Sequence, residues 1–273
     1  MNPLKSILFV DTSYVSFYRY FATIFWYKVS HKKETIPKDY DWYQNKEFMD
    51  KFSNMYMKSF DKIRKTYDIP YENMIFAKDC PRKKIWRVEH FPKYKANRDA
   101  TYNDPNWKGG PVFKFAHQEL LYQLQKKHNF RIMECPTAEA DDVVAILKTH
   151  IRKQQPTKQI VIVTNDHDYL QLLDEYTILI NLKHKLLSEK SLGSREKDLN
   201  MKIILGDSAD NIPKSIPRCG KKTALTLVNN PEELQKKLEN QEIFEQYSLN
   251  QLLIDFNYIP KNICDTVIQQ YLD

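Results

Sequence analysis

Short apolar runs recur between residues 6 and 181, and each is followed by polar or acidic residues. Unbroken apolar runs of this length are typical of strands buried on both faces, as in a parallel sheet. The predicted strands are residues 6–10, 74–77, 130–133, 159–164 and 176–181. Helical segments separate them, and this alternation predicts an α/β fold: a central parallel sheet flanked by helices.

Apolar residues at helical spacing predict the elements between these strands. Helices are expected at 14–29, 45–67 and 113–128, and a further helix is expected to begin near Thr137 or Ala138 and to continue through Val143. A short helix is expected to end near Leu173. After Leu187 the pattern is helical throughout, so we predict a first domain at 1–187 and a helical second region at 188–273.

Acidic residues follow the predicted strands. They are Asp11, Asp79, Glu139, Asp141, Asp142, Asp166 and Asp168, and Asp207 and Asp210 come later in the chain. One or two such acids could simply cap the following helices. Seven are hard to explain in that way, because the carboxyl ends of parallel strands meet at one edge of a sheet.

Such a cluster of carboxylates predicts a metal site. Ligand sets made only of oxygen suit Mg²⁺ or Mn²⁺ rather than zinc. Two such ions can activate water and stabilise both oxygens in a displacement at phosphorus, so we predict metal-assisted hydrolysis of a phosphodiester. His167 lies between two of the acids, and we expect it to point away or to pack.

Composition favours some binding partners and argues against some kinds of binding site. The net charge of +7 favours a polyanionic partner. The five glycines form no nucleotide-binding motif, and the four cysteines form no CxxC pair, which argues for a reducing compartment. No apolar run approaches the length of a membrane helix and no signal pattern begins the chain, so we expect a cytoplasmic protein without a membrane partner.

A series of motifs resembles the flap endonuclease/5′-nuclease family over nearly the whole chain. In order they read FVDTS, FAKDCPRKKIWRVEHFPKYKANRD, PTAEADDVVAIL, VTNDHDYLQLL, LGDSADNIP and IPRCGKKTA. The WR…YKANR segment and the C-terminal LLIDFNYIPKNICDTVIQQY are similar to the T-even-type phage ribonuclease H branch. The resemblance implies a PIN-like core and, for a phage protein, the host cytoplasm.

The resemblance also implies roles for the nine acids as ligands of two Mg²⁺ ions, with Mn²⁺ as a substitute. Asp79, Glu139, Asp141 and Asp142 would be nearest the first ion, and Asp166, Asp168, Asp207 and Asp210 would be nearer the second or its water shell. Asp11 would correspond to the acid after the first strand.

A helical arch over the metals, at about residues 87–110, is a further implication of the resemblance. Lys95 would contact the scissile phosphate, Arg98 would be a second basic clamp, and Tyr94 would stack on an unpaired base. Arg82, Lys83 and Arg87 would be further DNA contacts. The alternative is a solvated basic helix. The pair Gly109-Gly110 is either a hinge for the arch or an ordinary loop.

The segment 216–224 resembles the hairpin of the family's helix–three-turn–helix element. Lys221, Lys222 and Thr223 would contact duplex phosphates without reading sequence. Arg218 stands where the first glycine of the hairpin is expected. That departure leaves a potassium site at the hairpin open, and Arg218 could itself reach a phosphate.

The leading functional hypothesis is a Mg²⁺-dependent 5′→3′ exonuclease and flap endonuclease that removes RNA primers during DNA replication. Its substrates would be RNA–DNA hybrid, duplex DNA and 5′ flaps. Expected partners are single-strand-binding protein and a sliding clamp, and the protein is expected to be a monomer. The alternatives are a single-strand RNase of the PIN-like class and a catalytically inactive protein that binds DNA structures.

Overall fold

A single five-stranded sheet is the centre of the computed structural model, which describes residues 5–33, 35–102 and 104–273, with only the backbone of 101 and 102. The strands are β1 (Ile7–Asp11), β2 (Met74–Lys78), β3 (Arg131–Glu134), β4 (Ile160–Val163) and β5 (Thr177–Ile180). Their order is β3-β2-β1-β4-β5 and every pair is parallel, which confirms the predicted α/β class. The strand order reverses beside β1 and β4, and ligands bind at such points in open α/β sheets.

Thirteen α-helices surround the sheet in the described part of the chain. They are α1 (Thr12–Ser30), α2 (Lys46–Lys58), α3 (Asp61–Thr66), α4 (Arg87–His90), α5 (Arg98–Tyr102), α6 (Gly110–Phe115), α7 (Leu121–His128), α8 (Ala140–Gln154), α9 (Arg195–Leu205), α10 (Lys221–Asn229), α11 (Pro231–Leu238), α12 (Gln241–Ile254) and α13 (Lys261–Leu272). Across 5–33, 35–102 and 104–273, none of the helices combines the length and apolarity that crossing a bilayer would require.

Several helix boundaries differ from those predicted. The helix predicted at 45–67 is divided into α2 and α3, and a π-helical turn at Ala116–Leu120 separates α6 from α7. The residues from His167 to Leu172 form a 3₁₀ helix. Helix α8 begins after Glu139, which is its extended N-cap residue and donates its backbone N–H to Asp142 Oδ2 at 3.1 Å. Thr137 and Ala138, near which the helix was expected to begin, directly precede this N-cap residue, and the pair Glu139 and Asp142 forms a reciprocal capping box.

The two faces of the sheet bury separate apolar cores. Helices α1, α2 and α3 cover one face, and α8 and α13 cover the other. Ile263 and Val267 of α13 belong to the same core as Val143 and Leu147 of α8. The last helix therefore packs on the sheet layer, and the division at 187/188 stays a prediction.

One ion-pair cluster beneath β5 makes stability dependent on pH. Burial opposes ionisation of Asp174, but hydrogen bonds from Lys148, Thr177 and Arg152 outweigh it and lower the pKa of Asp174 to about 2. Because the folded pKa is below the ordinary value, this stabilisation is complete above about pH 4 and is lost as pH falls through 2.

We expect Asp174→Asn to lower the free energy of unfolding by about 1 to 2 kcal/mol at pH 7 and by less at pH 3. Urea denaturation at the two pH values measures this difference. Asp265→Asn, on an exposed position of α13, is the matched control. Equal losses at both pH values would contradict the assignment.

Candidate active site

A cleft of about 1290 Å³ lies beyond the carboxyl ends of the strands. Six of the nine predicted acids line it: Asp11, Asp79, Glu139, Asp141, Asp166 and Asp207. Asp11 ends β1, Asp79 follows β2 and Asp166 follows β4, so the parallel sheet itself brings these carboxylates together. Asp142, Asp168 and Asp210 lie behind this surface and are buried.

Asp11, Asp79 and Asp166 form the least compensated part of the cleft. Among the described residues, no lysine or arginine forms an ion pair with any of them. Burial and then the neighbouring carboxylates of Asp79 and Asp166 raise the pKa of Asp11 to about 7. Burial, with Glu139 and Asp142, also raises the pKa of Asp141 well above its ordinary value. Carboxylates that repel one another in this way suit a bound cation.

Backbone and hydroxyl donors orient these carboxylates. The N–H of Tyr14 donates to Asp11 Oδ1 at 2.9 Å, and the N–H of Ala140 donates to Asp79 Oδ1 at 2.8 Å. The hydroxyl of Ser13 donates to the other oxygen of Asp79. The first turns of α1 and α8 therefore hold the acids that face the cleft.

Arg87 holds the innermost acids from behind. Its Nη1 and Nη2 donate to the two oxygens of Asp142 at 2.8 and 2.7 Å, and its Nε donates to the carbonyl of Leu253 at 2.6 Å. Trp86 Nε1 also donates to Asp142, at 3.1 Å. Both oxygens of Asp142 thus accept hydrogen bonds inside the protein, whereas the resemblance implied that Asp142 would be a ligand of the first metal.

Glu139 connects this buried network to the cleft. Its Oε2 accepts from Tyr94 Oη at 2.8 Å and from Arg87 Nη1 at 3.1 Å, and its Oε1 pairs with Lys95. Burial opposes ionisation, but Lys95 and Arg87 outweigh it and lower the pKa of Glu139. Oxygens of Glu139, Asp141 and Asp142 lie within 4.8 Å of one another and form a first oxygen cluster.

A second oxygen cluster consists of Asp168, Asp207 and Asp210, also within 4.8 Å of one another. Lys202 of α9 pairs with Asp168 and lies 2.8 Å from Asp207 Oδ2. Burial opposes ionisation of Asp207, but Lys202 outweighs it and lowers the pKa of Asp207. Asp210 accepts from Arg98 Nη2 at 2.7 Å. Both clusters offer only carboxylate oxygens as metal ligands, and such ligands suit hard divalent cations.

Lys95 and Arg98 lie between the two clusters. The Nζ of Lys95 pairs with Glu139 and is 3.5 Å from Asp210 Oδ2. Burial opposes protonation, yet Glu139 and Asp210 raise the pKa of Lys95, which keeps its charge. Lys95 has a left-handed backbone with φ of 54°, and its N–H donates to the carbonyl of Asp210 at 2.9 Å. Asn97 Nδ2 donates to the carbonyl of Ser208 at 2.8 Å and locks the segment in place.

Two of the predicted DNA contacts are interior residues. Arg87 and Tyr94 are each 2% exposed, so neither can present its side chain to a nucleic acid. Tyr94 cannot stack on a base, because its ring is buried and its hydroxyl binds Glu139. Arg82 pairs with Asp99, and Lys83 is exposed. In the arch segment, Gly109 packs against Trp107 and Phe113, where a Cβ would clash at 2.5 Å, so close packing explains this glycine.

The hairpin residues lie on the surface. Arg218 has a left-handed backbone with φ of 57°, the conformation that glycine adopts most readily. Lys221, Lys222 and Thr223 form the exposed first turn of α10. Their side chains are accessible to a duplex, and contacts with it stay a prediction.

Sequence reasoning missed two contributors. Lys202 lies five positions before Asp207, and only the packing of α9 against the 3₁₀ helix at His167–Leu172 brings it to Asp168. The buried role of Arg87 had no signal beyond its place in a basic stretch. His167, expected to point away or to pack, is exposed on the wall of the cleft.

Comparison with known proteins agrees with this geometry. A family model described as the 5′-3′ exonuclease N-terminal resolvase-like domain matches residues 6–198. The chain belongs to the 5′-3′ exonuclease family. A second model, described as the T4 RNase H C-terminal domain, matches residues 213–273. The predicted family is confirmed, and the protein is a metal-dependent nuclease of that family.

Relatives of this 5′-3′ exonuclease chain include the ribonuclease H of Enterobacteria phage T4, 26% identical over 228 residues that cover 77% of this chain and 72% of the relative. The 5′-3′ exonuclease of Buchnera aphidicola subsp. Acyrthosiphon pisum (strain APS) is 32% identical over 183 residues, which are 63% of this chain and 58% of the relative. Among solved structures, the T5 D15 protein crystallised with metal ions covers 98% of both chains with a TM-score of 0.71 at 17% identity. The T5 D15 flap endonuclease in a complex with DNA and metal ions has a TM-score of 0.70 at 17% identity, again with 98% of both chains covered.

Proposed function

We propose that the protein is a two-metal-ion 5′→3′ exonuclease and flap endonuclease that removes RNA primers during DNA replication. Its substrates are RNA–DNA hybrid, duplex DNA and 5′ flaps. The carrying observation is the convergence of Asp11, Asp79 and Asp166 in a cleft that also contains Lys95, with no lysine or arginine paired to these three acids in the part of the chain that the structure describes. Family membership and the phage T4 relative support the same reaction class.

Two Mg²⁺ ions, or Mn²⁺ in their place, would supply an activated water and charge stabilisation at phosphorus. The first oxygen cluster, with Asp79, would hold one ion through Glu139 and Asp141, while Asp142 positions Glu139. The second oxygen cluster, with Asp166, would hold the other. Asp11 lies between Asp79 and Asp166 and contributes to both sides of the cleft.

The basic residues of the site bind and orient the substrate. Lys95 and Arg98 lie beside both oxygen clusters, so a phosphate that enters the cleft meets two fixed positive charges. Such charges stabilise the negative charge that develops on a phosphate during hydrolysis. Exposed Lys221, Lys222 and Thr223, with Arg218, would hold the duplex through its phosphates.

The proposal places the protein, as a monomer, in the cytoplasm of a cell or of a phage host. Single-strand-binding protein and a sliding clamp are the proposed replication partners. The net charge of +7 supports the nucleic-acid part of this proposal.

The test is cleavage of a 5′-flap DNA and of an RNA–DNA hybrid, both end-labelled, with and without Mg²⁺. We expect metal-dependent cuts at the flap junction and short products from the 5′ end of the hybrid. Cleavage of single-stranded RNA with no effect of a junction would favour the RNase alternative. Flap binding without turnover in Mg²⁺ or Mn²⁺ would favour the inactive alternative.

Lys95→Ala tests the role of the cleft cation. We expect single-turnover cleavage to slow by about a hundredfold, since a fixed charge at the reacting phosphate is lost, while the Kd for the flap changes by less than about threefold. Exposed Lys93→Ala is the matched control and should change neither value. Parallel losses in cleavage and binding would show that Lys95 only binds substrate.

A further inference from the structure

Helix α1 carries an exposed apolar stripe that begins in the cleft and continues beyond it. Its members recur every four residues and are Phe17, Phe21, Phe25 and Val29, with exposed fractions of 38%, 53%, 71% and 46%. Side chains four apart lie on one face of a helix. Three aromatic rings on one solvent-facing line are unusual, since large exposed apolar patches generally mark binding sites. We call these four residues the aromatic stripe.

The aromatic stripe is continuous with the cleft. Phe17 lines the cleft together with Asp11 and Asp79, one turn after α1 begins. Its ring is 6.4 Å from that of Phe21 and 6.2 Å from that of Trp107, nearly parallel to the latter at 17°. The stripe therefore begins at the catalytic carboxylates and leads outward along α1.

Helix α1, which carries the aromatic stripe, has basic and no acidic residues, and acids of neighbouring segments approach it at Tyr20, through Asp41, and at its C-cap His31, through Glu47. Residues 12–33 contain Arg19, Lys28, Lys32 and Lys33 and no aspartate or glutamate. Residues 105–118, which include Trp107 and pack beside α1 through α6, contain Lys108 and Lys114 and again no acid. A basic surface with interleaved aromatic rings matches a polyanion whose bases are unpaired.

We propose that the aromatic stripe binds the single-stranded 5′ portion of the substrate after it passes the cleft, with bases stacked on Phe21 and Phe25. The inference rests on the proposed function, because it requires an unpaired 5′ strand next to the metals. From Phe17 to Val29 the helix rises about 18 Å. At the ~3.4 Å spacing of stacked bases in one strand, that length accommodates about five nucleotides.

The inference is tested with 5′-flap DNA whose flaps are one or ten nucleotides long. Binding to each DNA is measured by fluorescence anisotropy in EDTA. We expect the native protein to bind the longer flap more tightly. Phe21→Leu/Phe25→Leu should weaken binding of the ten-nucleotide flap by about tenfold or more and leave the one-nucleotide flap unchanged. Leucine keeps the helix and an apolar side chain but removes the ring on which a base can stack.

The matched control is Phe244→Leu, on an exposed phenylalanine of α12, which should bind both flaps as the native protein does. Equal native affinity for both flaps would overturn the inference, as would an unaffected double variant or equal losses on both flaps. Cleavage of the one-nucleotide flap in Mg²⁺ is measured in parallel. Its absence in the native protein would refute the proposed function, whereas the binding comparison refutes or supports the stripe by itself.

Discussion

Asp11→Asn is expected to slow flap cleavage by about four orders of magnitude, which corresponds to about 5 kcal/mol of activation free energy. Asp11 lies between Asp79 and Asp166 and has no paired cation among the described residues, so its charge is available to a metal. Asparagine keeps the oxygen that accepts from the N–H of Tyr14 and removes the charge. Single-turnover cleavage at saturating Mg²⁺ measures the effect.

The same substitution should leave the metal-free fold intact or stabilise it. Burial and two neighbouring acids raise the pKa of Asp11 to about 7, so its ionised form costs stability above pH 7 and no cost remains below about pH 4. Thermal melts in EDTA should therefore show a more stable variant at pH 8 and an unchanged one at pH 4. Asp265→Asn serves as the control in both assays. A decrease in the cleavage rate smaller than tenfold would contradict the assignment of Asp11 as a metal ligand.

Arg87→Ala is expected to lower the free energy of unfolding by about 3 to 5 kcal/mol, because it leaves the buried carboxylate of Asp142 without its partner. Arg87 is 2% exposed and joins Asp142, Glu139 and the carbonyl of Leu253. The last contact ties α4 to the end of α12, so the loss extends beyond the site. Urea denaturation in EDTA gives the value.

Arg82→Ala is the matched control for this substitution, since Arg82 pairs with the exposed Asp99 and such pairs contribute at most about 1 kcal/mol. Removing both partners, in Arg87→Ala/Asp142→Ala, should cost less than the sum of the single losses because no unpaired charge remains. A cost below about 1 kcal/mol for Arg87→Ala would show that water replaces the guanidinium.

Features governed by local pattern were predicted correctly. The buried strands lie near their predicted positions because each apolar run is about as long as the strand that it forms in the sheet interior. Asp11, Asp79 and Asp166 could be placed at one edge from the sequence, since Asp11 ends β1, Asp79 directly follows β2 and Asp166 comes three residues after β4. The family was predicted from motifs that occur in the order typical of its members. The match of the family model to residues 6–198 confirms it.

Residues in the segment 82–98 show where sequence reasoning stopped. Arg87, Tyr94 and Lys95 are all basic or aromatic, and the family resemblance implied a nucleic-acid contact for all three. The structure buries Arg87 and Tyr94 and turns Lys95 toward Glu139. Nothing in their spacing distinguishes an arginine that reaches solvent from one enclosed by α8 and α12.

The sequence by itself determined the sheet, the edge at which acids gather and the class of chemistry, because strands and their following residues depend on nearby positions in the chain. Only the tertiary structure decided which acids face the cleft and which are held from behind. Asp142 and Asp141 are adjacent, yet Arg87, distant in sequence, binds the first, while the second lines the cleft. That difference depends on contacts between α4, α8 and α12, which no local pattern encodes.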